Sequence, residues 1–184
     1  MRILLISVLA VSLLLSSIYI VGQINQPLPK MENPHILVKK KERKLQIFDG
    51  EKLIKSYTIS LGFAPEGDKE IEGDGKTPEG EFYIFTKNPE STFFLSLGVS
   101  YPNIEDAERG LKNNLITQEE HDEIVKAINE KAMPPQKTKL GGEIYIHGGG
   151  CKADWTAGCM ALENEEMQEI FDAIEIGANI KIEP

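Results

Sequence analysis

Cysteine is scarce in this chain: Cys151 and Cys159 are the only two among 184 residues. They stand eight apart with no C-x-x-C or paired-histidine spacing around them, so the ligand pattern of a zinc site is missing. A set of His147, Cys151 and Cys159 is a weaker metal alternative. Positive charge is also short, with 20 lysines and arginines against 29 acidic residues and a formal charge of −9. No long basic stripe is available to offset phosphates, which argues against a nucleic-acid partner. The one basic cluster, Lys39, Lys40 and Lys41 with Arg43 and Lys44, reads as a solvated hairpin turn. The glycine-rich stretch 62–75 carries Asp68, Glu70, Glu72 and Asp74 but lacks the D-x-D-x-D-G order of a calcium loop, and reads as a solvated loop. No repeat or low-complexity tract occurs, and no metal or organic cofactor is called for.

What the chain does have begins with an apolar run. Ile3 to Val21 is interrupted only by serines, follows Arg2, and at about 1.5 Å per residue spans roughly 28 Å of helix, close to the bilayer hydrocarbon thickness. The run is long for a signal-peptide core, no clear Ala-x-Ala site follows, and no cysteine ends it, which excludes a lipoprotein anchor. Residues 1–22 are therefore expected to be an uncleaved anchor with the N-terminus inside, or else a cleaved signal, and 23–34, with Pro27, Pro29 and Pro34, a stiff linker. Residues 35–184 are long enough for one domain with a sizeable core. The expected setting is an exported, periplasmic or wall-facing domain held at the membrane through residues 3–21.

In that domain the pattern is mostly β. Ile36 to Val38, Leu45 to Phe48, Leu53 to Leu61, Glu81 to Thr86 and Phe93 to Val99 read as strands, with a hairpin turn at Asp49-Gly50. The rhythm breaks at 103–139, where Thr117-Gln118-Glu119-Glu120 forms a capping box ahead of a helix that stops before Pro134-Pro135. This insertion, about 104–133, could wall a cleft or simply pack on the sheet. A further helix starts near Asn164, with Met167, Ile170, Phe171 and Ile174 at core spacing, and Ile180 to Ile182 closes the chain as a strand.

Chemistry concentrates between residues 144 and 164. The run Glu143 to Ile146 favours an extended backbone and delivers His147 into Gly148-Gly149-Gly150, and Cys159 follows Gly158 twelve residues after the histidine. A free thiol is mostly protonated at neutral pH, so an imidazole within reach would convert it to a reactive thiolate paired with imidazolium. Gly158 would let the backbone turn sharply and aim N–H groups at an oxyanion. The competing reading is a Cys151–Cys159 disulfide, plausible in an exported chain. His35 and His121 lie in polar contexts and read as solvated.

Residues from about 35 to 184 resemble the L,D-transpeptidase (YkuD-like) catalytic domain family, which rearranges bacterial cell-wall peptides with an active-site cysteine. The family's strand ending in His-Gly, then Ser-His-Gly-Cys, a hydrophobic residue, Arg, and Asn five after Cys, is matched by His147, Gly148, Thr156, Gly158, Cys159, Met160 and Asn164. Upstream, Gly75 to Phe82 resembles its Thr-Pro-x-Gly-x-Phe segment and Ser100-Tyr101-Pro102 its Tyr-Pro. Ala157 stands in the place of the family's histidine and Ala161 in that of its arginine, and the loop is short. Asp154-Trp155-Thr156-x-Gly158-Cys159 resembles a subgroup in which these replacements go together. An arginine holds a carboxylate bidentately and alanine cannot, so substrate recognition would differ.

The resemblance implies a mixed β-sheet sandwich or barrel with a helical insertion and a C-terminal helix. It implies Cys159 as nucleophile and His147 as general base and acid. The Gly148 carbonyl would orient the imidazole in place of a triad carboxylate. The Gly158 and Cys159 N–H groups would form the oxyanion hole, and Trp155, Thr156, Tyr101 and Asn164 would bind substrate, with a core-anchor role as the alternative for Trp155. The implied substrate is the peptidoglycan stem peptide. Three functions follow: acyl transfer to a second peptide, release of the acyl group to water by an L,D-endopeptidase or carboxypeptidase, and a non-catalytic wall-binding domain bridged at Cys151–Cys159.

Overall fold

The computed structural model describes residues 27–184. The expected anchor or signal segment 1–22, and residues 23–26 of the expected linker, lie outside the described residues. Among the described residues no helix is long and apolar enough to cross a membrane. The rest of the expected linker is docked rather than free. Leu28 and Met31 pack on the core, and the Glu32 and Asn33 N–H groups both donate to Asp49 Oδ1 at 3.1 and 2.7 Å.

Among the described residues, eight strands form one sheet. In chain order they are β1 (Pro34–Lys39), β2 (Lys44–Asp49), β3 (Lys52–Thr58), β4 (Gly80–Ser91), β5 (Phe94–Val99), β6 (Tyr145–His147), β7 (Met160–Ala161) and β8 (Asn179–Glu183), with helices α1 (Ile104–Lys112), α2 (Gln118–Asn129) and α3 (Asn164–Ala173). The strand order is β3-β2-β1-β8-β4-β5-β6-β7. β1 with β8 and β6 with β7 run parallel, and the other pairs are antiparallel. β4 serves two halves: Gly80 to Tyr83 pair with β8, and from Ile84 onward the strand pairs with β5 across a register shift between Ile84 and Thr86. A bulge of that kind bends a strand and increases its twist, and the mixed sheet curls into a half-barrel, as the mainly β expectation required. Alternation fixes which face turns inward: Ile36 and Val38 on β1, and Leu45 and Ile47 on β2, are buried, and they join Met167, Ile170 and Ile174 of the α3 region in the core.

The insertion at 104–133 contains two helices, one more than the single capping box at Thr117 marks. α1 has a capping box of its own, in which Asn103 and Asp106 exchange side-chain to backbone bonds at 2.9 Å each. The two helices spend their apolar faces on a separate small core of Ala107, Ile116, Ile124 and Leu140, and Tyr101 ties it to the sheet by donating its hydroxyl to the Leu140 carbonyl at 3.0 Å.

The basic cluster forms the expected hairpin turn between β1 and β2, but one of its lysines is not solvated. Lys40 is only 2% exposed, and its ammonium donates to the Gly67 and Thr77 carbonyls and to Glu79 at 2.6, 2.7 and 2.8 Å. A buried ammonium is tolerable only with its donors used, and these three bonds pin the 62–79 loop to the end of β1. The acidic loop is equally ordered: Asp74 pairs with the buried Lys69 at 2.9 Å and accepts the Glu70, Ile71 and Lys76 N–H groups, and Asp68 pairs with Arg109 at 2.9 Å.

Candidate active site

His147 ends β6, and β6 lies parallel to β7 with Ile146 opposite Met160 and His147 opposite Ala161. Cys159 stands immediately before β7, and its thiol reaches the Glu143 carbonyl, just ahead of β6, at 3.4 Å. The β6–β7 pairing thus sets the two candidate residues on adjoining segments at the ends of a twelve-residue crossover.

The loop between them is held by a strip of chain that leaves β3 early. Leu53 to Leu61 was expected to run as one strand, but β3 ends at Thr58 and the following residues pair with the loop instead. Ser60 exchanges backbone bonds with Ala161 at 2.9 Å each way, the Thr156 N–H donates to the Leu61 carbonyl at 3.2 Å, and the Phe63 N–H donates to the Thr156 carbonyl at 2.9 Å. Asp154 Oδ1 accepts the Leu61 N–H at 2.9 Å, and the Arg43 guanidinium grips the same carboxylate through Nε at 3.0 Å and Nη2 at 2.7 Å. At Gly158 the φ of +136° is glycine territory, and an added Cβ would stand 2.7 Å from the Lys76 carbonyl oxygen.

The imidazole is fixed from several sides. Nδ1 lies 2.6 Å from the Gly148 carbonyl. A carbonyl can only accept, so the proton sits on Nδ1 and the Nε2 lone pair is the basic one. Phe93, at the β4–β5 turn, stacks on the ring with centroids 4.8 Å apart, and Trp155 meets it edge-on at 5.6 Å. His147 is 3% exposed, whereas Phe93 and Trp155 are 43% and 41% exposed and form the rim. Trp155 donates Nε1–H to the Gly150 carbonyl at 3.1 Å. It is not a core anchor.

Burial works against the thiolate–imidazolium pair expected from the sequence. Burial holds the His147 pKa below the usual histidine value, with the Gly148 carbonyl opposing. Burial also pushes the Cys159 thiol up to about 11, with the Glu143 carboxylate adding to the rise and the Tyr145 N–H and Lys69 ammonium opposing it. Both shifts run toward the neutral forms, thiol and imidazole. The thiol donates to the Glu143 carbonyl at 3.4 Å, and Glu143 takes a left-handed φ of 55°, an unfavourable conformation for a residue with a side chain.

Other expected site residues fall in different places. Thr156 is buried and braces the turn, with Oγ1 donating to the Cys159 carbonyl at 2.8 Å and accepting the Gly158 N–H at 3.2 Å. The Gly158 donor expected at an oxyanion hole is thus engaged within the loop. Tyr101 is fully buried with its hydroxyl committed to Leu140, so it presents no surface to a peptide. Asn164 Oδ1 accepts the Gly149 N–H at 2.9 Å and holds the glycine turn. Cys151 and Cys159 are separate free thiols, and Cys151 lies against Glu163 at 3.7 Å. His35 stacks on Phe48, and His121 pairs with Asp122 on α2. Phe93 was missed in the sequence because an aromatic at a strand end looks like core; only the hairpin's return beside β6 brings it to His147.

A family model for the L,D-transpeptidase (YkuD) catalytic domain matches residues 33–182. The chain is 26% identical over 147 residues to a protein of Escherichia coli K12 named putative L,D-transpeptidase YafK, a match covering 76% of this chain and 46% of that one. The chain thus spans about half the length of the curated relatives it matches. Among solved structures, the helical cell shape determining protein Pgp2 of Campylobacter jejuni is 23% identical with a TM-score of 0.56, over 86% of this chain and 51% of that one. Bd1075 of Bdellovibrio bacteriovorus is 21% identical with a TM-score of 0.53, over 85% and 52%. At these identities the structural likeness is one of fold.

Proposed function

Because the chain belongs to the L,D-transpeptidase (YkuD) catalytic domain family, we propose that it carries out cysteine-dependent acyl transfer on peptidoglycan stem peptides, with Cys159 as nucleophile and His147 as base. The observation that carries this reading is the imidazole fixed by its Nδ1–H on the Gly148 carbonyl at 2.6 Å, which leaves Nε2 as the basic nitrogen at the end of the strand that pairs with β7, the strand directly after Cys159. As sulfur attacks the carbonyl after the third stem residue, its proton passes to Nε2. The oxyanion is met by the Cys159 N–H. The C–N bond then breaks, the leaving amine takes the proton from Nε2, and a thioester remains. A second peptide's amine attacks the thioester, gives its proton to Nε2, and the sulfur recovers it on leaving.

Starting the cycle from neutral partners suits general-base catalysis, in which the proton moves during attack and contributes typically 100- to 10,000-fold. Trp155, exposed at the rim, would touch the peptide, and Asn164 would act through the glycine turn. The domain would work outside the cell, held or delivered by residues 3–21. The test is mass spectrometry of the protein incubated with disaccharide-tetrapeptides and cross-linked dimers. Larger products that vanish in Cys159→Ala and fall at least 100-fold in His147→Ala would support transfer. Smaller products with the same dependence would make water the acceptor, and full turnover by Cys159→Ala would overturn the reading.

A further inference from the structure

Phe93 belongs to no motif of the chemistry, yet it makes the tightest ring contact to the base. Its ring lies 4.8 Å from the imidazole at an interplanar angle of 26°, and it meets Trp155 at 5.3 Å with 63° between planes. Trp155 in turn is anchored to Gly150 and lies edge-on to His147. With 43% of its surface exposed, the ring is not simply core, and burial alone does not explain its stacked placement on the imidazole. The Phe93 carbonyl also borders the backbone of Gly148, 3.0 Å from where a Cβ would stand, so the hairpin tip closes directly over the residue that accepts the Nδ1 proton.

We propose that Phe93 is a positioning residue for the proton transfer: its stacked ring keeps the imidazole in the plane that holds Nδ1–H on the Gly148 carbonyl, and its π face stabilises the imidazolium that forms when Nε2 takes the Cys159 proton. The proposal rests on the acyl-transfer reading for its kinetic consequence, although the state of the ring can be measured without it. Attraction between a cation and an aromatic face is strongest where water is excluded, and His147 is buried. The titratable groups of the surrounding elements include Tyr145 on β6, Lys87 and Glu90 on β4, Cys151, Lys152, Asp154 and Cys159 on the loop, Glu163 ahead of α3 and Glu166 on it. Asp154 is held by Arg43, Glu163 engages Cys151, Lys87 donates to the Ile174 carbonyl, and the causes acting on the imidazole are burial and the Gly148 carbonyl.

The experiment compares the full chain with Phe93→Leu, which keeps apolar cover but removes the π face, and with Phe93→Trp, which restores one. Nitrogen NMR reads the tautomer and titration of His147 in each. The expected result is a lower His147 pKa and loss of the single Nδ1–H tautomer in Phe93→Leu, with both recovered in Phe93→Trp. On defined disaccharide-peptides, kcat should fall roughly three- to tenfold in Phe93→Leu with a smaller change in KM. An unchanged His147 titration and tautomer in a folded Phe93→Leu would overturn the proposal. So would a lowered kcat that Phe93→Trp fails to restore. If no peptide is turned over by the parent chain, the acyl-transfer reading fails while the titration still decides the role of Phe93.

Discussion

Single residues at this site are tuned against charge. Burial lowers the His147 pKa and raises that of Cys159, and both shifts disfavour the charged forms. The sign has a direct consequence for pH. A depressed histidine pKa keeps Nε2 unprotonated to pH values below the usual 6.5 or so, and a thiol at about 11 adds almost no thiolate at neutrality. Alkylation of Cys159 by iodoacetamide, measured in a Cys151→Ser background, should therefore climb steadily with pH toward about 11. A plateau already reached near neutrality would mean that the thiolate–imidazolium pair exists and that this account of the resting state is wrong. Legibility at this scale was mixed. The contact of His147 with the Gly148 carbonyl could be read from the motif because the two are adjacent in sequence. The burial around His147 could not, because it depends on Phe93 and Trp155, which are distant in sequence or ambiguous in kind.

Among elements, the nucleophile loop depends on a chain segment one hundred residues upstream. Arg43 holds Asp154, and Asp154 holds the Leu61 N–H, so the strip 60–63 and the loop 154–161 are clasped at a common carboxylate. Asp154→Ala would leave the guanidinium and one backbone donor without their partner, at a cost of about 1–3 kcal/mol, and would loosen the turn that leads to Cys159. The expected outcome is a lower midpoint in thermal unfolding together with reduced kcat. Asp154→Asn, which can still accept from Leu61, should fall between the two. An alanine variant with parental stability and activity would show that the clasp is incidental. The sequence marked Arg43 only as part of a basic turn, because ion pairs across 111 residues leave no local periodicity. It likewise overextended β3, since Ile59 and Leu61 continue the alternation while changing the partner they pair with.

The whole molecule arranges a curled mixed sheet with its short parallel pair, β6 and β7, at one end, beside the candidate site. The strands, the C-terminal helix and the helical insertion were legible because alternation, capping boxes and turn residues are local signals. The closure of the half-barrel through the two-part pairing of β4, the docking of residues 27–33, and the buried role of Lys40 were not, because each is a long-range event settled by packing. The central claim, that this frame presents Cys159 for attack with His147 as its base, is tested most directly by intact-protein mass spectrometry during incubation with disaccharide-tetrapeptides. The account predicts a mass gain equal to the acyl disaccharide-tripeptide, located on Cys159, absent in Cys159→Ala and strongly slowed in His147→Ala. Peptide turnover that proceeds unchanged in Cys159→Ala, with no adduct on the parent protein, would contradict it.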